Sequence, residues 1–457
     1  MMTHLNENVQ EDSLRLFDVL IQSIPGLLAT RCDKIIQNFV LLISKIKINA
    51  NDKSMLQTTI KNKRTSVEWR LMVLTRFNEF LGVILTRKKQ ENVIDIVPIN
   101  IIKVERQRIS APIYYKKEEI DIYRDDINVD VWLDDCVKDV LVLLKGIWLE
   151  VQPSNKHSIQ SAQLFCTVIN NEVLNILHCI LSIISSFYEL MVIKTQENQE
   201  IKIQNEIFLK TSKEIVNLIF ESFPFSKQNN RSMIDSKCFD ENLTLCYLFF
   251  AFSGNDYNKK LVEQALTYLN VCLVNRNYVP HEKSQFLLKA LKQFYENNLK
   301  AWKKHNQQDL NGFVNNTAKY YINNNLQENG VEIFKFLCEN IDSIEGIFFE
   351  VVRKACKSLI GPKIGMEMFK SIRILLLRRI NEVEIVLSLL LPEILNNLSR
   401  IEFEGIEHAS LKEARILSLF KSVPLNVKNH RVLEEFSKLS ENNKKLVNNF
   451  FENELKC

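Results

Sequence analysis

The sequence predicts an all-α fold, built as a solenoid of stacked helical hairpins, and three observations carry that prediction. Ten glycines and nine prolines in 457 residues lie far below the roughly 12 per cent that an average protein devotes to these two residue types. Turn-dense β sandwiches and collagen-like chains are thereby disfavoured. Apolar residues also recur at helical spacing along nearly the whole chain, and no strand-rich stretch interrupts them. Finally, hairpins that follow one another over such a length bury their apolar faces on their neighbours in a stack more readily than in one bundle.

Hydrophobic residues make up 46% and charged residues 25%, so the chain can bury a large core, and a net charge of +4 is small for its size. It is neither a disordered chain nor a polycation. Ten cysteines are scattered without a framework pattern, and the chain opens Met1, Met2, Thr3, His4 instead of a basic then apolar leader. We read a reducing compartment from this, which leaves the sequons at Asn242 and Asn315 without meaning.

The elements follow in order. From Ser13 to Ile24, Leu14, Phe17, Leu20, Ile21 and Ile24 share one helical face, and Pro25-Gly26 stops the helix. Asp33 is placed to cap a second helix that carries Ile36, Phe39, Val40 and Ile43, so the two read as an antiparallel hairpin. Thr65 with Glu68 three residues on forms a capping-box pattern for a third helix, whose face runs through Trp69, Val73, Phe77, Phe80, Leu81 and Ile84. Trp69 is therefore expected in the core.

Between Glu91 and Asp130, β-branched residues, prolines and charges replace the helical period, predicting an irregular insertion near residues 91–130. Helices are expected again over Val131–Leu149, Ser158 to about Ile193, and Glu206–Phe223, with polar gaps at Lys194–Gln204 and Ser226–Lys237. The run Val173–Val192 is long enough to span a bilayer, yet it holds Asn175, His178, three serines and Glu189. It reads as a buried helix. The rest of the chain is helix punctuated at Ser253-Gly254, Pro280, Gly312, Gly330, Gly361-Pro362, Pro392 and Pro424. No tetratricopeptide or ankyrin signature appears, which suits degenerate HEAT or armadillo repeats, whose consensus is mostly an apolar pattern.

No motif for chemistry emerges. Gly361 and Gly365 form the only close glycine pair and lack both a Lys-Ser/Thr ending and a preceding strand. His178 with Cys179, and Cys238 with Cys246, match no zinc spacing. We read His178 and Cys179 as packed core residues, and the acid pairs Asp125-Asp126 and Asp134-Asp135 as solvated. Catalytic residues, cofactors and metals are all expected to be absent.

Charge is distributed unevenly. Residues 61–119 hold 13 basic and 7 acidic side chains, whereas residues 120–150 hold 3 and 8. The strongest cluster lies from Val351 to Ile380, where Arg353, Lys354, Lys357, Lys363, Lys370, Arg373, Arg378 and Arg379 meet only Glu367. Such a surface suits phosphates or an acidic partner. The runs Lys61, Lys63, Arg64 and Arg87, Lys88, Lys89 read as helix-end and loop charges.

Four ordered segments carry a family resemblance. They are Met2-Thr3-His4-Leu5, then Gln10 to Leu14 with Phe17-Asp18, then Asn38 to Ser44, then Thr65 to Leu74 with its Trp-Arg-Leu-Met-Val-Leu run. Together they resemble the testis-expressed protein 10 family of pre-ribosomal-RNA-processing proteins, related to a subunit of the fungal Rix complex. The resemblance covers about a fifth of the chain and implies a nuclear and nucleolar, partly nucleoplasmic, helical-repeat scaffold without catalysis that serves spacer removal and large-subunit maturation.

Its implied partners are a proline-, glutamate- and leucine-rich repeat protein, a WD-repeat protein, a Las-type endonuclease subunit, a SUMO-specific protease and the pre-ribosomal particle. The family carries a Lys-rich tail and earlier repeats upstream of Met-Thr-His, so the expectation is either a chain truncated at its N-terminus or a first helix with an apolar face that such a repeat would cover. The expected organisation is family helical repeats over residues 1–90, the insertion over 91–130 and further helical repeats over 131–457. A direct RNA-binding repeat module is the alternative function, with RNA a secondary contact of the scaffold, and an unrecognised enzyme is the third. Arg70, Arg373, Arg378 and Arg379 are the expected contacts to partner or RNA.

Overall fold

The computed structural model describes Met2, His4 and residues 6–48, 54–58, 66–94, 129–153, 166–197, 205–227, 235–253, 258–274, 284–299, 307–324, 330–361, 363–397 and 402–403. These fall into two compact units, Met1–Asp256 and Tyr257–Cys457. Both are helical, as expected.

The first unit contains α1 (Glu7–Ser23), α2 (Pro25–Ala29), α3 (Cys32–Ile43), α4 (Ser66–Ile94), α5 (Val129–Val151), α6 (Asn171–Glu197), α7 (Glu206–Phe220) and α8 (Phe239–Ser253). Two layers result. Helices α1, α4, α6 and α8 pack in succession in one, α3, α5 and α7 in the other, and α3–α4, α5–α6 and α7–α8 join them. This is the stacking that hairpins with one apolar face each require.

Local chemistry sets the boundaries. Asn6 caps α1 by accepting from the Asn8 N–H at 2.9 Å. Pro25 ends α1 as predicted but also opens α2, where its missing N–H and preset φ cost nothing. Arg31, not Asp33, occupies the cap position of α3. Asp33 sits instead in the first turn, where its charge favours the helix dipole. Thr65 and its capping box lie outside the described residues.

Four phenylalanines close the start of the stack. Phe17 meets Phe39 and Phe80 at centroid distances of 5.2 and 5.6 Å, and Phe39 meets Phe77 at 5.3 Å. Phe77 then reaches Phe187 of α6. Trp69 is buried on the same helix as Phe77 and Phe80, and its Nε1–H donates to the Leu42 carbonyl at 3.1 Å. The indole thus fills space and satisfies a carbonyl at the end of α3, which a helix leaves open.

The apolar run 173–192 lies within α6. That helix is long and apolar enough by length and composition to cross a membrane, and 61% of its most apolar window is buried inside the fold. Leu177, Ile180, Ile184 and Phe187 are buried where α6 packs against its neighbours, and Phe187 meets Phe77 of α4.

Strands, which the apolar periodicity does not predict, are short. The hairpin β1 (Ser44–Ile48) with β2 (Ser54–Thr58) is antiparallel, while β3 (Thr167–Val168) with β4 (Phe225–Ser226) and β5 (Lys363–Ile364) with β6 (Glu402–Phe403) are parallel. Of the helix expected from Ser158, residues 158–165 lie outside the described residues; Thr167 and Val168 are extended and pair with β4, and the described helix begins at Asn171. Asn242 on α8 holds that pairing in place. Fully buried, it accepts from the Phe225 N–H and donates to the Phe225 carbonyl, both at 2.9 Å. One amide side chain thus does for a buried backbone what a neighbouring strand would do. The insertion expected near residues 91–130 is narrowed at both ends, since α4 continues through Ile94 and α5 starts at Val129. Residues 95–128 lie outside the described residues.

The second unit repeats the scheme. It holds α9 (Lys259–Val274), α10 (Ser284–Gln293), α11 (Gln307–Asn323), α12 (Gly330–Glu339), α13 (Glu345–Lys357), α14 (Met366–Leu377) and α15 (Asn381–Asn397). Helices α9, α11, α13 and α15 form one layer and α10, α12 and α14 the other. Asn316 donates to Asn270 at 2.8 Å between α11 and α9. Lys354 of α13 donates to the Ile322 carbonyl at 2.9 Å and to that of Asn324, with its ammonium over the Tyr321 ring at 5.6 Å. A cation at the C-terminal end of α11 satisfies open carbonyls and complements the dipole.

Trp69→Ala should cost about 3 to 5 kcal/mol of stability, since a large ring and a carbonyl partner are lost together. Chemical denaturation followed by fluorescence and circular dichroism measures this, and a loss below about 1 kcal/mol would place the indole outside the packing.

Candidate interaction surface

The basic cluster of residues 351–380 is less uniform in space than in sequence. Arg353 pairs with Glu350 at 3.6 Å. Lys370 pairs with Glu367 at 2.7 Å, and Glu367 also takes Lys335 of α12 at 3.3 Å. Lys354 is half-buried on its carbonyls, and burial pushes its pKa down. The side chain of Lys363 lies outside the described residues. The eight cations of the cluster thus include several with structural partners.

The three arginines expected as contacts are all exposed, but they differ in kind. Helix α14 ends in a Schellman arrangement, with the Arg379 N–H bonded to the Leu376 carbonyl at 3.0 Å and the Ile380 N–H to that of Leu375 at 3.3 Å. Such an ending needs a left-handed residue, usually glycine, and here Arg379 fills it at φ 58°. A non-glycine residue there is strained by about 1 kcal/mol. Arg379 also lies 3.5 Å from the carboxylate of Glu384, which is buried. It is a structural residue as much as a surface one. Arg373 and Arg378 have no ion-pair partner among the described residues.

Arg70 is corrected outright. Expected as a surface contact, its side chain is 1% exposed and forms an ion pair with Glu150 of α5. It sits one position after Trp69, and α4 turns both toward neighbouring helices. A guanidinium out of water is held by a carboxylate, so Arg70 ties α4 to α5 and is not available to a partner.

Other charges that look solvated in sequence also join helices. Arg76 donates to Asp18 at 2.6 Å between α4 and α1, Lys89 to Glu189 at 2.6 Å between α4 and α6, and Lys145 to Glu214 at 2.8 Å between α5 and α7. Arg87 donates to the Gly26 carbonyl at 2.6 Å. The run Arg87, Lys88, Lys89 is thus drawn into the stack, whereas Lys61, Lys63, Arg64 and Asp125-Asp126 lie outside the described residues.

His178 departs from expectation too. Cys179 is buried, but His178 is 53% exposed and places Nδ1 3.1 Å from Glu241, a nearly buried carboxylate on α8. The hydrogen bond to Glu241 raises the imidazole pKa above its ordinary value, against the opposing effect of burial. Sequence periodicity places residue 178 beside an apolar stripe but cannot show that a carboxylate waits across the layer. Asn242, in turn, uses its sequon amide entirely within the core.

Among the described residues no group of three or more His, Cys, Asp or Glu side chains converges as a metal would require. The described cysteines are free. Burial pushes the thiols of Cys32, Cys238 and Cys338 up to about 12, which leaves them weak nucleophiles at neutral pH.

Residues 1–81 match the family described as "Rix1 complex component involved in 60S ribosome maturation". A curated relative, the testis-expressed protein 10 homolog of Danio rerio, is 36% identical over 113 residues, which is 23% of this chain and 12% of that relative's length. Both matches support the resemblance carried by the four N-terminal segments. The family match over residues 1–81 spans the cluster of Phe17, Phe39, Phe77 and Phe80 and the buried Trp69.

Two outcomes follow from the paired charges. The raised pKa of His178 means that its contribution to stability is fully present below the unfolded value of 6.5 and is lost as pH rises through the folded value. The stability difference between the native chain and His178→Gln should therefore be largest at acid pH and shrink as pH rises above the unfolded value of 6.5; a pH-independent difference would refute the pair. Arg379→Glu should lower stability by about 1 kcal/mol, because it faces a buried carboxylate with a like charge. Arg373→Glu should stay within about 0.5 kcal/mol of the native chain in the same melts.

Proposed function

We propose that the chain is a non-catalytic scaffold subunit of a nuclear complex that matures the large ribosomal subunit and supports removal of pre-rRNA spacers. The observation that carries this reading is the match of residues 1–81, which hold the first two long helices and the first part of α4, to a component of the Rix1 complex. The architecture agrees with it. A two-layer stack of helices offers long outer surfaces and few deep clefts, which suits a protein that works by holding others.

The proposed partners are those that the family resemblance implies: the pre-ribosomal particle, a proline-, glutamate- and leucine-rich repeat protein, a WD-repeat protein, a Las-type endonuclease subunit and a SUMO-specific protease. The proposed place of action is the nucleolus and nucleoplasm. Because Arg70 is buried, contacts to these partners fall on the exposed helix faces and not on the Trp-Arg-Leu motif itself.

Affinity purification of the tagged chain, with mass spectrometry and gradient sedimentation, tests the reading. Large-subunit precursors and assembly proteins should be enriched, and depletion should accumulate spacer-containing pre-rRNA. Recovery of neither precursors nor assembly proteins would sink it.

A further inference from the structure

Helix α14 carries an exposed stripe that has no ion-pair partner among the described residues of its unit. Leu377 is 63% exposed, the most exposed large apolar side chain among the described residues, and Ile374 one turn before it is 50% exposed. Arg373 lies four residues before Leu377, and Arg378 four residues after Ile374, so the two aliphatic side chains sit side by side between two guanidinium groups. Both arginines are exposed, and neither has an ion-pair partner among the described residues. The adjoining cations do not share this freedom, since Lys370 is held by Glu367 and Arg379 faces Glu384.

We propose that this face of α14 is a docking site for an acidic segment of a partner protein, in which Asp or Glu residues flank Leu or Ile. The inference deepens the scaffold reading and rests on it. Charge complementarity selects the occupant. Carboxylates accept bidentate bonds from guanidinium groups, and the aliphatic side chains of such a segment cover Ile374 and Leu377 at the same time. A nucleic acid uses the surface less well. No aromatic side chain is exposed on α14 to stack a base, and a phosphate chain gains nothing by covering two aliphatic residues. Helix α1 supplies the contrast: it also turns Leu16 and Val19 outward, but its Arg15 is already matched by Glu11 and Asp12, so no charge there selects a partner.

The test uses the full chain and two labelled probes: an amphipathic peptide of about 20 residues with glutamates bracketing leucines at helical spacing, and a uridine oligomer of the same length. Fluorescence anisotropy should show the peptide bound. Arg373→Glu combined with Arg378→Glu should weaken it by at least about tenfold, and Leu377→Ser alone by about fivefold. Arg379 is left native so that the helix ending is intact, and circular dichroism melts check each variant. If the charge reversal disturbs the melt, Arg373→Gln with Arg378→Gln replaces it.

Peptide affinity unchanged in either variant would overturn the assignment. So would uridine binding that the arginine pair governs and Leu377→Ser leaves untouched, which would make the face an RNA contact. Sedimentation separates this from the broader reading. Native chain that travels with large-subunit precursors but does not bind the peptide refutes the docking site alone, whereas native chain that does not travel with precursors refutes the scaffold function.

Discussion

The burial of α6 is the constraint on which the first unit depends. Its apolar residues occupy more than one face of the helix, and an apolar helix of that breadth is stable in water only when covered on several sides. Helices α4 and α8 cover it within its own layer and α5 from the other. Covering one such helix fixes the positions of three more, and each of those has its own far side to bury. A stack is the continuing solution to that problem.

Polar groups then determine register within the stack. Trp69 bonds a specific carbonyl, Asn242 grips one residue of β4, and the bonds from Arg76, Lys89 and Lys145 each join helices adjacent in a layer. Apolar packing alone tolerates sliding by a turn. A hydrogen bond or ion pair to a named atom does not, because displacement leaves a group unpaired away from water.

Much of the fold was legible in the sequence because it rests on periodicity. The three N-terminal helices, the core position of Trp69 and the helical nature of the 173–192 run all follow from apolar spacing, which is a local signal. What stayed hidden depends on residues distant in sequence. Thr167 and Val168 are extended because β4 lies beside them, and Arg70 is buried because Glu150 crosses from the next helix. His178 faces outward because Glu241 receives it. Charge counting found the basic stretch containing α14 but could not separate Arg373 and Arg378 from the cations already engaged. That distinction depends on which nearby carboxylates are engaged and on partners such as the carbonyls that hold Lys354 and the Glu384 that faces Arg379.

Layered stacking also shapes how the chain folds and fails. Each long helix meets chiefly those one to three places along the chain, so ordering can start within one hairpin and spread outward to its neighbours in the stack. The entropy cost of each closure is modest, and the growing end always presents an apolar face to the next hairpin. Within a unit, damage should therefore be felt most by the adjoining hairpins and fade with distance along the stack. A lesion near Trp69 loosens the start of the first unit before its end, and local opening there comes ahead of global unfolding. Within each unit, stacking of this kind lends elasticity, since small rotations between successive hairpins add up while no single interface has to break.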